Sequence, residues 1–320
     1  MAAWLESPDP LVVDLRKVTA ADLAPLLEEE TAAWRTALDW DFEPSADLVR
    51  RFVGMQALNG FALLDGTRTI GYSYYIREEK KGLIGDLYVQ APDRTPEREN
   101  ALMEATVEAL WRSPGVHRVE AQLPMLESPL ARKPPFASWF RSYPRRFLEA
   151  PAAQAFALAE REPEGIAISP WTEAKQDDSA RLVAAAYRGH VDSEINDQYR
   201  SPSGARRFLS NIVQYPGCGT FFAPASYAAS DAKGALCGIS LTSLVAWDTG
   251  HITQICVAPS QRGKSVGYEL LRRSMLALVA HGCRRVGLTV TSTNKGAIRL
   301  YQQMGFADRR DFAAYVWDSW

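Results

Sequence analysis

One order of predicted elements occurs twice in this chain, and it constrains the fold more than any other feature. In each half a short strand precedes two helices, three strands, a helix and another strand, with corresponding elements about 155 residues apart. The region from Leu123 to Pro170 holds eight of the 19 prolines, a density that interrupts long helices and central strands. We therefore place a domain boundary near Pro163, which predicts two α+β (α/β) domains, residues 1–163 and 164–320.

Charge and cysteine usage exclude several classes of protein. The chain has 36 Lys+Arg against 38 Asp+Glu and a net charge of −2, which argues against a nucleic-acid binder and gives no basic membrane surface. No segment approaches the ~18 apolar residues of a membrane span, and the first ten residues lack a signal peptide's basic start. The spacing of the cysteines suits neither a zinc site nor a disulfide framework, which predicts reduced thiols in a cytoplasmic protein. These are Cys218, Cys237, Cys256 and Cys283.

The stretch Ile252–Gly267, ITQICVAPSQRGKSVG, carries the clearest chemistry. It predicts a strand that ends at Pro259, a basic loop and then the start of a helix. Unpaired N–H groups and the helix dipole at such a start form a site for anions, and Arg262 and Lys264 add positive charge. The loop matches neither a P-loop nor a dinucleotide fingerprint. It predicts a phosphate-bearing ligand, with an ordinary solvated loop as the alternative.

A second motif lies downstream in LTVTSTNKGAIRLYQQMGF, where Asn294 is a good N-cap and Gly305 a natural C-cap. Together the two segments resemble the GNAT acyltransferase superfamily. Its acetyl-CoA site has an R/Q-x-x-G-x-G/A loop after the fourth strand and a later N-x-x-A-x-x-L-Y-x-x-x-G-F helix. The helix motif matches throughout, whereas Ser265 stands where the family usually has its middle glycine.

The resemblance implies two tandem GNAT-like domains, each a mixed, mostly antiparallel twisted sheet flanked by helices. It implies an N-acetyltransferase that moves an acetyl group from acetyl-CoA to a primary amine of a small molecule or peptide by direct attack, without a metal. Loop amides would hold the CoA pyrophosphate, and pantetheine would lie where the fourth and fifth strands splay apart. A backbone amide of the fourth strand would polarise the thioester carbonyl. The implied cofactor-binding residues are Ile255, Cys256, Val257, Gln261, Arg262, Gly263, Lys264, Ser265, Val266, Gly267, Asn294, Ala297 and Tyr301.

The resemblance also implies that Tyr301 is the general acid that protonates the departing thiolate. A base is harder to identify, because the fourth strand has no carboxylate at Thr253 or Gln254. The polar segment 190–199 would then supply a base through water, from His190, Glu194 or Asp197. Residues expected to bind the acceptor are Asp192, Asn196, Asp197, Tyr199 and Gln254. As an alternative to these roles, segment 190–199 is a polar loop that only caps two helices. His251, at the start of the fourth strand, is expected to have a structural role.

The first half lacks these motifs. Its equivalent loop contains Pro96 but no glycine, and it places Asp93 and Glu97 where a pyrophosphate would lie. Like charges would repel the ligand, so we predict a degenerate copy without a cofactor. Two alternatives remain: an acyl-CoA-binding or sensing protein with little catalysis, and an aminoacyl transferase, which the net charge disfavours. The sequence leaves the acceptor and the oligomeric state open.

Overall fold

The computed structural model describes residues 10–215, 217 and 219–318, so Cys218 and the first nine residues, on which predictions were made, lie outside it. The chain divides into two compact units. Unit 1 comprises Met1–Thr36, Phe42–Pro144 and Asp311–Trp320, and unit 2 comprises Ala37–Asp41 and Arg145–Arg310. The longest segment of unit 1 ends at Pro144, inside the proline-rich region. The two functional domains, 1–163 and 164–320, stay a prediction.

Most helices and strands follow the predicted order, but a 12-residue strand, Phe140–Pro151, lies in the proline-rich region that was expected to interrupt long strands. Up to residue 122 they are β1 (Leu11–Asp14), α1 (Ala20–Leu38), α2 (Glu43–Gly54), β2 (Gly60–Asp65), β3 (Arg68–Glu78), β4 (Lys81–Val89), α3 (Pro96–Trp111) and β5 (Arg118–Gln122). The later elements are β6 (Phe140–Pro151), β7 (Ile166–Pro170), α4 (Gln176–Ala186), α5 (Asp192–Ile195), α6 (Pro202–Gln214), β8 (Thr220–Phe221), β9 (Tyr227–Asp231), β10 (Leu236–Ala246), β11 (Thr249–Val257), α7 (Val266–His281), β12 (Arg285–Thr291), α8 (Lys295–Gln303) and β13 (Ala307–Asp318).

Unit 1 is a sheet in the strand order β1-β2-β3-β4-β5-β13, with α3 packed against it. The β4–β5 pair is parallel and the other pairs are antiparallel. Alternate side chains of β13, Ala313, Tyr315 and Trp317, lie in the same buried cluster as residues of α3. The last strand of the chain therefore completes the core of the first unit.

Two of the carboxyl groups buried in unit 1, Glu30 on α1 and Asp86 on β4, interact with each other. The Tyr72 hydroxyl donates to Glu30 Oε2 at 2.8 Å, and the Leu87 amide donates to Asp86 Oδ1 at 2.8 Å. Burial raises the pKa of Asp86 to about 6. Burial and the neighbouring Asp86 raise the pKa of Glu30 well above its ordinary value. The pair therefore holds a proton near neutral pH more readily than exposed carboxyl groups do.

Unit 2 is a sheet in the strand order β6-β12-β11-β10-β9-β7, with β8 paired to β10. Only β11 and β12 run parallel among these pairs. Helix α7 covers one face with an apolar stripe that includes the buried Leu270, Leu271, Met275 and Leu278. These mixed, mostly antiparallel sheets with flanking helices confirm the predicted fold class. No helix within the described ranges is long and apolar enough to cross a membrane.

Strands β11 and β12 separate partway along their length. Their pairing extends from Thr249 opposite Arg285 to Ile252 opposite Leu288 and stops there. On its other side β11 has a bulge, because Leu241 pairs with Gln254 while the adjacent Thr242 pairs with Ile252. A bulge adds one unpaired residue and bends its strand. The bend coincides with the point where the two strands diverge and leaves a gap within the sheet of unit 2.

Candidate active site

A cavity of about 670 Å³ lies at this divergence. Its lining comes from the ends of β11 and β12, from the loop before α7, from α8 and from the segment that follows α4. The predicted site residues that line it are His190, Asp192, Tyr199, Gln254, Ile255, Cys256, Val257, Gln261, Arg262, Gly263, Ser265, Val266, Gly267, Asn294, Ala297 and Tyr301. The predicted residues outside the lining are Lys264, Glu194, Asn196 and Asp197.

The loop before α7 has two residues in the left-handed region, Gly263 with φ of 77° and Ser265 with φ of 63°. Glycine adopts this conformation freely, whereas for serine it costs about 1 kcal/mol. Ser265 precedes the helix, but its side chain makes no capping hydrogen bond. The first amides of α7 have no intrahelical partner, so they remain available to an anion. The positive charge nearby is fixed, because Arg262 Nη2 donates to the Ala186 carbonyl oxygen at 2.7 Å.

A further cation at this loop, Arg161, was missed from the sequence. Its guanidinium lies 3.9 Å from the centre of the Tyr268 ring, and Nη1 lies 3.5 Å from Ser265 Oγ. Its backbone N–H donates to Glu269 Oε2 at 3.2 Å, which attaches this part of the chain to α7. No motif marks this arginine. Lys264, which the motif did include, instead donates to Gln261 Oε1 at 3.1 Å on the exposed side of the loop.

Tyr301 lies on α8 and also lines the cavity. As predicted from the sequence, Asn294 caps this helix, with Oδ1 accepting from the Ala297 amide at 3.2 Å. Burial, and next the negative charge of Asp192, raise the pKa of Tyr301 above its ordinary value. The phenol therefore keeps its proton at neutral pH and is able to act as a hydrogen donor or an acid.

A network of polar and aromatic side chains connects β11 to the helices that cover it. Gln254 Nε2 donates to the Tyr187 hydroxyl at 3.0 Å, and the Tyr199 hydroxyl donates to Gln254 Oε1 at 3.2 Å. The two tyrosine rings stack, with centroids 4.5 Å apart. Gln254 is thereby held beside the bulge. The sequence had indicated Gln254 and Tyr199 but not Tyr187, which belongs to no motif.

His190 and Asp192 connect the segment that follows α4 to α8 and β12. The Thr291 hydroxyl donates to Asp192 Oδ1, and the Asp192 amide donates to His190 Nδ1 at 3.1 Å. His190 Nε2 lies 3.3 Å from Asn294 Nδ2. Among the described residues that line the cavity, Asp192 is the one carboxylate. This cluster therefore places an acid and an imidazole near Tyr301.

The other predicted members of the 190–199 segment have different partners. Glu194 Oε2 accepts from Arg200 Nη2 at 3.1 Å, and both side chains are close to half exposed. Asn196 accepts from the Gln198 amide at 3.0 Å, which is the capping role that the alternative interpretation expected. Asp197 begins a short 3-10 helix. The roles suggested for these three residues in acceptor binding or catalysis stay predictions.

Two cavity residues on β11 have side chains that burial keeps neutral. Burial lowers the pKa of His251 to about 4, helped by the charge of Arg145, and the imidazole stacks on Phe147 with centroids 5.7 Å apart. His251 Nδ1 is buried without a hydrogen-bond partner. Burial also raises the pKa of the Cys256 thiol to about 12, so this group is a poor nucleophile at neutral pH. Cys237, Cys256 and Cys283 form no disulfide.

The corresponding helix start in unit 1 is closed. Thr95 caps α3 by accepting from the Arg98 amide at 3.3 Å. Asp93 is buried beside this end, and it pairs with Arg98 at 2.8 Å and with Arg68 at 2.9 Å. The start of α3 is thus closed by its cap, by Pro96 and by the ion pairs of Asp93, whereas the start of α7 in unit 2 is open. No group of His, Cys, Asp or Glu within the described ranges is arranged to hold a metal ion.

Comparison with known proteins points to one family. The sequence model of the acetyltransferase (GNAT) family matches residues 188–306. Streptothricin acetyltransferase of Streptomyces lavendulae is 37% identical over 83 residues, which are 26% of this chain and 44% of that protein. N-alpha-acetyltransferase 30 of Xenopus laevis is 35% identical over 68 residues, which are 21% of this chain and 25% of that protein. The chain thus spans less than half the length of these curated relatives.

A solved structure shares the architecture over nearly the whole length. It is a tandem GNAT protein from the clavulanic acid biosynthesis pathway, with a TM-score of 0.62 and 16% sequence identity. The match covers 97% of this chain and 98% of that one. At this identity the likeness shows the fold alone.

Proposed function

The chain belongs to the GNAT acyltransferase superfamily, and we propose that it is an N-acetyltransferase that moves an acetyl group from acetyl-CoA to a primary amine. The acceptor would be a small molecule or a peptide. The observation that supports this most is the cavity at the splayed strands, which extends from the open N-terminus of α7 to Tyr301. An anion site and a protonated phenol in the same cavity suit a donor with a phosphate-bearing tail and a reactive thioester.

The residues at the loop fit the phosphate part of this donor. The amides that begin α7 would bind the pyrophosphate, with Arg262 and Arg161 adding charge. Gly263 has nothing within 4 Å of the position where a Cβ would stand, so a ligand has room to approach the backbone there. Beyond the splay, Ile255, Cys256 and Val257 would provide the wall for the pantetheine. When bound, acetyl-CoA supplies an activated acyl group whose transfer forms an amide bond and releases a thiol.

Two side chains would move protons, and a third would bind the acceptor. Tyr301 would hold the proton that the departing sulfur receives. Asp192 would bind the acceptor ammonium, and His190 would take a proton from it through water. Gln254 would position the acceptor beside the bulge, because its amide is fixed by Tyr187 and Tyr199. Direct attack suits this site, since the Cys256 thiol in its lining stays protonated.

The proposal is tested by calorimetry with acetyl-CoA, followed by thiol release with a panel of amines. Binding with turnover on at least one amine is the expected result. Binding without turnover would favour the alternative of a sensing protein, for which the strained Ser265 in place of a glycine is the motivating observation. Absence of acetyl-CoA binding would contradict both functions.

A further inference from the structure

Arg145 is a cationic side chain of the cavity that the roles above do not use. It lies on β6, lines the cavity, and its Nε atom is buried without a hydrogen-bond partner. Carboxylates on β6 and β13 are already paired, since Asp308 of β13 contacts Arg146 at 3.3 Å and Glu149 of β6 contacts Arg285 at 2.5 Å. Arg145 forms no ion pair within the part of the chain that the structure describes. Arg145 as a whole is only partly buried, but its buried Nε–H would gain a hydrogen bond from a ligand that carries an acceptor.

The position of Arg145 separates it from the phosphate loop. On β6 its side chain and that of Phe147 share a face, and Phe147 stacks on His251 of β11. On β12 the residue directly opposite Arg145 is Thr291, whose hydroxyl donates to Asp192. Arg161 and Arg262, by contrast, are attached to α7 and α4. Arg145 therefore belongs to the part of the cavity where an acceptor would lie.

The neighbourhood of Thr291 combines opposite charges that do not touch. Cross-strand partners have Cβ atoms about 5 Å apart, so Arg145 and Asp192 both flank the Thr291 side chain. They nevertheless form no ion pair within 4 Å, and the adjacent His251 is neutral. A cation and an anion that flank the same side chain match a molecule that carries an ammonium and a carboxylate a few bonds apart.

We infer that the acceptor is an amine that also carries a carboxylate, with Arg145 binding the carboxylate and Asp192 the ammonium. Amino acids and peptides with a nearby carboxylate belong to this class, whereas polyamines and plain alkylamines do not. The inference rests on the proposed acetyl transfer and narrows its acceptor. Arg145 would lower the acceptor KM without contributing to binding of acetyl-CoA.

The test uses matched acceptor pairs that differ in the carboxylate: lysine with cadaverine, tyrosine with tyramine, and tyrosine with tyrosinamide. Binding of each to the CoA-saturated protein is measured by calorimetry alongside turnover, so that a slow acceptor is still scored. The wild-type protein should favour the carboxylate member by about tenfold or more, as charge-assisted hydrogen bonds allow. Arg145→Gln should remove the preference, and Arg145→Lys should retain part of it because the charge remains.

Arg146→Gln is the matched control, because Arg146 is the next residue on β6 and pairs with Asp308 outside the cavity lining. It should keep the preference. The inference is wrong if both pair members bind and react equally, if no carboxylate member binds, or if the preference survives in Arg145→Gln with its acetyl-CoA affinity intact. Failure of acetyl-CoA to bind would instead contradict the proposed function. In that case the acceptor pairs would be tested on the free protein. Preferred binding of the carboxylate members would support the inference, and equal binding would contradict it.

Discussion

The Tyr301 phenol combines burial with a negative neighbour, and both keep its proton in place. If this proton goes to the departing thiolate, Tyr301→Phe should lower kcat by about 10²–10⁴-fold, the usual range for general acid catalysis. Acetyl-CoA affinity measured by calorimetry should stay unchanged, since the ring keeps its contact with Phe306. Tyr215→Phe, on an exposed tyrosine, serves as the control. A similar loss of kcat in the control, or none in Tyr301→Phe, would contradict the acid role.

The buried carboxyl pair of unit 1 predicts an unusual pH dependence of stability. The folded-state pKa of Asp86 is raised to about 6. Folding therefore favours the protonated form, and this contribution is full below about pH 4 and is lost as pH rises through 6. Asp86→Asn should raise the free energy of unfolding by about 1–3 kcal/mol at pH 8 but not at pH 4, as measured by urea titration.

Asp311→Asn is the matched control for this carboxyl pair, because Asp311 is exposed. It should change the free energy of unfolding little at either pH. If Asp86→Asn gave an equal gain at pH 4 and pH 8, the gain would come from packing, and the raised pKa would not explain it.

Among the elements, the starts of α7 and α3 differ in a way that decides where an anion binds. Gly263→Glu should abolish acetyl-CoA binding, because it forces a left-handed residue and adds a charge that repels phosphate. Gly263→Ala introduces the strain without the charge, so its loss should be smaller. Glu97→Gly at the start of α3 should leave the calorimetric affinity unchanged. Equal losses from Gly263→Glu and Glu97→Gly would contradict the prediction that the start of α3 does not bind the cofactor.

Local sequence predicted these elements well because their signals are local. Pro259 after a strand, Asn294 as a cap and Gly305 after a helix all act through adjacent backbone groups. Arg145, Arg161 and Tyr187 carry no such signal. They reach the cavity because β6 pairs with β12, because residues 158–161 attach to α7, and because Tyr187 follows α4. Only tertiary structure brings them to the site.

At the scale of the whole molecule, the division into units follows strand pairing and not chain order. Strand β13 pairs with β5, from Ala314 opposite Gln122 to Asp318 opposite Arg118. The two partners are about 200 residues apart in sequence, and no periodic pattern reports a pairing of that separation. The proline-rich region predicted a boundary between two parts of the chain. No sequence feature predicted that β13 would pair with a strand of the first part.

Trp317 is the residue that tests this arrangement. It is fully buried in the core of unit 1, and its Nε1 donates to the Pro135 carbonyl oxygen at 2.9 Å. Trp317→Ala should lower the free energy of unfolding by about 3–5 kcal/mol, as loss of a large core side chain does. Trp247→Ala, on an exposed tryptophan, should lower it far less. Comparable losses in urea titrations of the two variants would show that β13 does not complete the core.

The late position of β13 has a consequence for biosynthesis. A ribosome releases the residues of β1 to β5 early, yet the strand that covers the β5 edge emerges only after all of Arg145–Arg310. Until then β5 presents unpaired N–H and C=O groups, which readily pair with another chain. The unit encoded first is therefore the one that finishes folding last. While it waits, its open edge is the part of the nascent protein most in need of a chaperone.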